Sequence, residues 1–167
     1  VQRFEMLFQD DQSSPQLQQL WRSTQVASTV AITQQAINST RLELAENKET
    51  SLTPIDLAVI RQNVRQSIQA VINTERELVT TELKTVAVSQ IQIYKETADQ
   101  IHQQIQELIE VRPPVTTTVL AVPCTLHWLA HYLYEDMSRA NEIRQLNPNL
   151  VNPAALRPGM ELTVYAR

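Results

Sequence analysis

The chain has 167 residues, of which 43% are hydrophobic, 19% charged and 5% aromatic. That balance is too apolar for a disordered chain and too poor in aromatic residues for a large compact core, so an elongated element carrying a small domain is expected. A net charge of -4 with scattered Lys and Arg argues against gripping a nucleic-acid backbone, no apolar run is long enough to span a bilayer, and the single cysteine, Cys124, excludes an internal disulfide framework.

The chain opens at Val1 in a mixed run, VQRFEMLFQ, with no start signal and no apolar signal-peptide core, which suggests the C-terminal part of a longer protein. Ser14 followed by Pro15 predicts a helix start, with Ser14 as N-cap and proline at the first helical position, where its missing N-H does no harm. Leu17, Leu20, Val26, Val30, Ile37 and Leu44 recur at helical spacing, giving a helix over about residues 15–48. The same grammar returns at Thr53, Pro54 and Asp56, and predicts a second helix over residues 54–111. Unbroken, that helix would be about 85 Å long at 1.5 Å per residue; a break between Asn73 and Thr81 is the alternative.

Within this stretch Ala87, Ile91, Tyr94, Ala98, Ile101, Ile105 and Leu108 are separated alternately by four and three residues, the spacing of a heptad seam. The seam fits either pairing within one chain or a bundle of identical chains. Self-association is the expectation, because a long arm has more apolar stripe than a small domain covers. Pro113-Pro114 ends the helix and sets a domain boundary: residues 1–112 as helical arm, 113–167 as a small domain.

In the small domain Val115 to Val122 is rich in β-branched residues and predicts a strand. Two short helices follow, with apolar faces Leu126, Leu129, Ala130, Leu133 and then Ala140, Ile143, Leu146, and with Ser138 as cap of the second. Met160 to Tyr165 alternates apolar and polar as a half-buried strand does. Asn147-Pro148 ends the second helix, and Pro158-Gly159 turns the chain into the last strand, so the only glycine of the sequence supplies backbone freedom there. The fold class is mainly α with a small α+β domain: a long helical hairpin or coiled-coil arm followed by a β-α-α-β unit.

No residue pattern points to catalysis. Cys124, His127 and His131 have C-x-x-H-x-x-x-H spacing and offer three metal ligands on one helical face, one short of a closed zinc site. The competing account is that both histidines flank an apolar stripe and make surface hydrogen bonds, and no cofactor is expected. Glu135 and Asp136 are adjacent at a helix end and point different ways, as an exposed turn requires. Trp128 and Tyr132, one helical turn apart, either stack on a sugar, fill a neighbour's pocket, or pack within the domain, the last being the default; the same choice applies to Tyr165.

Three blocks carry a resemblance. Thr125-Leu126-His127-Trp128-Leu129-Ala130, Glu142-Ile143-Arg144-Gln145-Leu146-Asn147-Pro148 and Leu156-Arg157-Pro158-Gly159-Met160-Glu161-Leu162-Thr163-Val164 follow, in order, the LysM pattern T-L-x-x-I-A, E-L-x-x-L-N-P, L-x-P-G-x-x-L-x-V, so the domain resembles a LysM domain. LAHYLYEDMSRANEIRQLNP, Leu129 to Pro148, resembles more closely the C-terminal part of the tail protein family of Mu-like bacteriophages called the DNA circularization protein. Here Tyr134-Glu135-Asp136 stands where that family has Tyr-Gly-Asp, and Leu146-Asn147-Pro148 is nearer the LysM form.

That resemblance implies a non-enzymatic structural role in the virion, in a contractile tail near the baseplate hub, with the protein made in the host bacterial cytoplasm. Its partners would be the hub, tube or tape measure proteins and further copies of itself, without nucleic acid or membrane. The residues expected to make contact are Thr125, Trp128, Tyr132, Asn147 and Pro148 in the domain, and Ile91, Tyr94, Ile101, Ile105 and Leu108 in the arm. The LysM resemblance implies an alternative, a module binding N-acetylglucosamine polymers on a helical stalk, through the loops after the first strand and before the second. The first loop reads Val122-Pro123-Cys124-Thr125, without the usual Gly-Asp before the threonine, and Pro123 has no donor to offer a glycan.

Overall fold

A computed structural model of the chain describes residues 15–46, 50–77 and 84–166. Ser14, the first expected cap, and the side chain of Ala87, the first seam position, lie outside the described residues. In chain order the elements are α1 (Pro15–Ala45), α2 (Pro54–Glu77), α3 (Lys84–Glu110), β1 (Val115–Val119), α4 (Leu126–Tyr134), a 3-10 turn (Met137–Arg139), α5 (Ala140–Leu146) and β2 (Glu161–Tyr165). The chain is mainly helical with a two-stranded sheet.

The expected two-helix arm needs correction. Between Ile55 and Arg112 there is neither proline nor glycine, yet the helix from Pro54 ends at Glu77 and another begins at Lys84. The described part of residues 54–111 thus forms two helices, and residues 78–83 between them lie outside the described residues.

The molecule divides into two compact units. The first comprises the described residues within Val1–Ser39 and Val59–Ile105, the second Thr40–Ala58 with Gln106–Arg167. The boundary expected after Arg112 falls inside the second unit, where the Arg112 Nη1 donates to the carbonyl of Leu52.

In the first unit α1, α2 and α3 are mutual neighbours. Arg22 Nε donates to Glu75 Oε1 at 2.7 Å between α1 and α2, Gln34 Nε2 donates to Gln104 Oε1 at 3.0 Å between α1 and α3, and residues Arg61 to Ile72 share a groove with Lys95 to His102 between α2 and α3. Helical spacing decides what is covered: Val26, Thr33 and Ile37 on α1, Val64, Ile68, Ile72 and Glu75 on α2, Tyr94, Ile101 and Ile105 on α3 are all buried. Each buried isoleucine contributes about 1.5–3 kcal/mol. Thr33, a buried hydroxyl, donates to the Thr29 carbonyl one turn back at 2.7 Å, so its burial leaves no donor unmet.

This settles where the seam points. Ile91 is half-buried, Tyr94, Ile101 and Ile105 are buried, and Leu108, in the second unit, is buried as well, all within one chain. Of the two fits the seam allows, pairing within one chain accounts for the burial of Tyr94, Ile101, Ile105 and Leu108.

In the second unit α2 starts as its sequence predicts. Thr53 Oγ1 accepts from the Asp56 N-H at 3.1 Å, while Asp56 Oδ2 accepts from the Thr53 N-H at 2.9 Å, a reciprocal cap that satisfies two of the helix's first donors. The strand expected over residues 115–122 is shorter, Val115–Val119, and pairs antiparallel with β2 in the register Val115 to Tyr165 through Val119 to Glu161. Leu120 extends the ladder by donating to the Met160 carbonyl at 3.0 Å and accepting from the Gly159 N-H at 2.8 Å. The turn that sets this register runs from Arg157 to Met160, closed by Met160 N to Arg157 O at 3.3 Å, with Gly159 at φ +82. Nothing lies within 4 Å of where a Gly159 side chain would stand, so glycine is required by the backbone angle alone, as a type II turn with proline before it demands.

The core of this unit is a cluster of Leu120, Leu126, Leu129, Ala130, Ala140, Ile143, Leu156, Leu162 and Val164. The apolar faces expected for the two short helices are the faces that go inside. Helix α4 is capped by Thr125, whose side chain accepts from the Trp128 N-H at 3.1 Å. The expected cap of the second helix is corrected: Asp136, not Ser138, supplies the capping oxygen, accepting from the Ser138 N-H at 2.8 Å at the start of the 3-10 turn, and Arg139 precedes α5 without a side-chain cap.

The outer edge of β2 is closed by side chains rather than by a third strand. Asn147, at the end of α5, accepts from the Thr163 N-H through Oδ1 at 2.9 Å and donates through Nδ2 to the carbonyls of Thr163 and Ile143, both at 2.7 Å. Two residues further along β2, the Tyr134 hydroxyl accepts from the Tyr165 N-H at 2.9 Å and donates to the Tyr165 carbonyl at 3.3 Å. Thr163 and Tyr165 direct their backbone groups away from β1, and these two side chains satisfy groups that would otherwise be an open, half-buried edge.

Candidate functional site

Helix α4 has two faces. Leu126, Leu129 and Ala130 enter the core, and His127, Trp128, His131 and Tyr132, falling between them at helical spacing, are exposed. Trp128 and Tyr132 are stacked, with ring centroids 5.4 Å apart and planes inclined by 4°. They are 46% and 64% exposed. The default that they pack within the domain is therefore overturned, because the core closes on the opposite face of a nine-residue helix and leaves two aromatic residues no interior to enter. Tyr165, by contrast, is buried.

An exposed pair of parallel rings offers a flat apolar surface held rigid by its own stacking, with few rotatable bonds to freeze on contact. It is suited to binding, not to proton or group transfer.

The other expected residues are accounted for locally. The Cys124 N-H donates to the Leu156 carbonyl and its carbonyl accepts from the Leu156 N-H, an isolated bridge that ties the loop after β1 to the segment before β2. Burial pushes the Cys124 thiol up from its ordinary value, which favours the neutral thiol over the thiolate. Among the described residues no group of three or more His, Cys, Asp or Glu side chains could hold a metal ion, so Cys124, His127 and His131 do not converge into a centre.

Asp136 is held below its usual value by hydrogen bonds from the Ser138 side chain and backbone, and Glu135 occupies the left-handed position that ends α4, at φ 60. Those two carboxylates shape a turn. Asn147 is engaged inside the unit at both ends of its amide, whereas Pro148 is exposed. Thr125 is engaged as a cap.

What the sequence does not announce is the packing of Tyr134. Its ring lies under the Arg139 guanidinium at 4.0 Å, and Arg139 in turn donates from Nε and Nη2 to Glu142 Oε2 at 3.0 and 2.7 Å. Burial pushes the Tyr134 phenol up from its ordinary value, against the opposing pull of its hydrogen bond to Tyr165. Both Tyr134 and Asn147 act on residues 31 and 16 positions away, contacts to which periodicity is blind.

No helix of the described residues is long and apolar enough to cross a membrane. Set against protein-family models, curated proteins and solved structures, the chain matches none of them.

Proposed function

We propose that the chain is a non-enzymatic contact module, a structural part of a contractile phage tail near the baseplate hub, in which a LysM-like domain docks a neighbouring tail protein and the helices brace the assembly. The observation that carries this reading is the exposed, stacked Trp128 and Tyr132 pair on α4. Buried under a partner, such aromatic residues are the kind of side chain that dominates interface energy. The order of elements from β1 to β2 and the phage-family block Leu129 to Pro148, which contains most of α4 and all of α5, support the assignment. Exposed Leu20, Ile32 and Val88 on the helices give further apolar surface for assembly.

A photo-crosslinking amino acid at position 132, carried in assembled tails, tests the reading. Adducts with the hub, tube or tape measure protein are expected; adducts confined to solvent quenching products would overturn it.

A second reading is a cell-wall glycan module on a helical stalk, and one observation favours it: the bridge between Cys124 and Leu156 brings together the two loops that LysM domains use for glycan. Retention of the purified chain on peptidoglycan, abolished by soluble N-acetylglucosamine oligomers, would favour this reading over the tail role.

A further inference from the structure

Helix α1 has a second face that the core of its unit does not cover. Val26, Thr33 and Ile37 are buried on one side. Leu17, Leu20, Thr24, Ala27 and Ala31, separated alternately by three and four residues, fall on the other side and are all exposed. Leu17 and Leu20 are 46% and 59% exposed, and Ile32 at the flank of this strip is 71% exposed.

Charge sets the face apart. Residues 15–39, in α1, and 66–74, in α2, hold one charged side chain, Arg22, whereas a solvated surface carries roughly a quarter to a third charged residues. Arg22 is itself paired with Glu75 at 2.7 Å. An outer helix face normally carries the charges, and their depletion marks the centre of an interface. The hydroxyls are already engaged: Thr24 Oγ1 donates to the Leu20 carbonyl at 2.8 Å and Thr29 Oγ1 to the Gln25 carbonyl at 2.9 Å. Both can be covered without leaving a donor unmet. A groove of about 600 Å³ continues the strip onto α2. Trp21, Thr24 and Ile32 line it from α1, Ile68, Ala70 and Val71 from α2, and none of its lining side chains is charged.

Charge complementarity selects the occupant. A partner bringing Lys, Arg, Asp or Glu to this face would bury them without counter-charges, which is costly, while an equally uncharged helix would not. The chain has such a helix in α1 itself. A two-fold axis between Thr24 and Ala27 sets α1 antiparallel to its counterpart, with Leu20 opposite Ala31 and Thr24 opposite Ala27, the larger side chain against the smaller at each level. We propose that the uncharged face of α1, with the groove it shares with α2, docks a second copy of this chain through antiparallel α1 helices. The pairing is independent of the tail role, since it uses no residue of α4.

Sedimentation of the full chain over a range of about 1–500 μM tests it. A monomer–dimer equilibrium with a Kd of about 10–100 μM is expected, because a strip of about 21 Å with one groove lies at the small end of specific interfaces. Ala27→Arg and Ala27→Glu each set like charges against one another across the axis and should weaken the dimer by about tenfold or more. Their unfolding midpoints should stay near the parent's, since residue 27 is exposed and both replacements are good helix formers. Mixed in equal amounts, the two variants should pair again, because only a second copy brings two residues 27 together. A chain that stays monomeric over the whole range, a dimer unchanged by Ala27→Arg, or a mixture no more dimeric than its components overturns the pairing. If either variant fails to fold, Ala31→Arg takes its place: it sets a charge against Leu20 of the second copy and should weaken the dimer by a similar factor, and an unchanged dimer also overturns it.

Discussion

The two units solve the same problem, burying backbone and polar groups in a small volume, by different means. Among the described residues of the helical unit the backbone bonds are made inside helices, so side chains are free to face one another, and its polar interior is ionic: Glu75, 4% exposed, meets Arg22 at 2.7 Å. In the strand-helix-helix-strand unit the sheet has only two strands, and polar side chains act on the backbone instead. Tyr134 and Asn147 stand where a third strand would be. The difference teaches that a very small sheet needs its helices for hydrogen bonds as much as for apolar cover.

That contrast can be broken at particular residues. The largest effect is expected in the helical unit: Glu75→Ala removes the buried partner of the half-buried Arg22 charge and should cost about 3 kcal/mol in urea unfolding, whereas replacing both partners by Arg22→Met and Glu75→Leu should recover most of it. A small loss in the single variant would mean the pair is hydrated.

Next, Asn147→Ala leaves the Thr163 N-H and two carbonyls without their partner and should cost about 2–3 kcal/mol, more than Tyr134→Phe at about 1–2 kcal/mol. Faster amide exchange at Thr163 in the first variant and at Tyr165 in the second, with β1 amides little changed, would mark the edge as the place of damage.

A smaller gain is expected from Glu135→Gly. Glu135 holds φ 60 where a side chain is strained, and glycine should raise stability by about 0.5–1 kcal/mol in thermal unfolding. The smallest effect is alkaline. Burial raises the folded-state values of Tyr134 and Tyr165 above those of the unfolded chain, so the folded state favours the neutral phenols. Their contribution is complete below pH about 10 and is lost as pH rises through the raised values. Tyr134→Phe should flatten that alkaline decline; an unchanged slope would assign it elsewhere.

Much of this fold was legible where a residue type has one local use. Pro15 and Pro54 open α1 and α2, Thr53 with Asp56 caps α2, and Pro158-Gly159 turns into β2. The end of α2 at Glu77 and the start of α3 at Lys84 were legible only as one of two alternatives, since no proline or glycine lies between Ile55 and Arg112 and the apolar spacing of α3 reads as a continuous seam. For the same reason the seam residues were expected between chains: periodicity says that a face is covered, not by what.

Trp128 and Tyr132 were legible as a pair one turn apart, but their exposure follows from which face of α4 the core occupies. The roles of Asn147 and Arg112 join side chains to carbonyls 16 and 60 residues away, and no local pattern encodes that. Glu135 was visible as a departure from the Tyr-Gly-Asp of the pattern the block resembles, and its left-handed backbone is a position that glycine occupies without strain.

The central claim is that the stacked rings on α4 are made for contact and contribute little to folding. Replacing Trp128 and Tyr132 together by serine, and measuring both the thermal unfolding of the purified chain and, for the tail role proposed above, its incorporation into tails, tests that claim most directly. Stability within about 1.5 kcal/mol of the parent, together with loss of incorporation, is the predicted result. Full incorporation of a stable variant, or collapse of the fold, would contradict it.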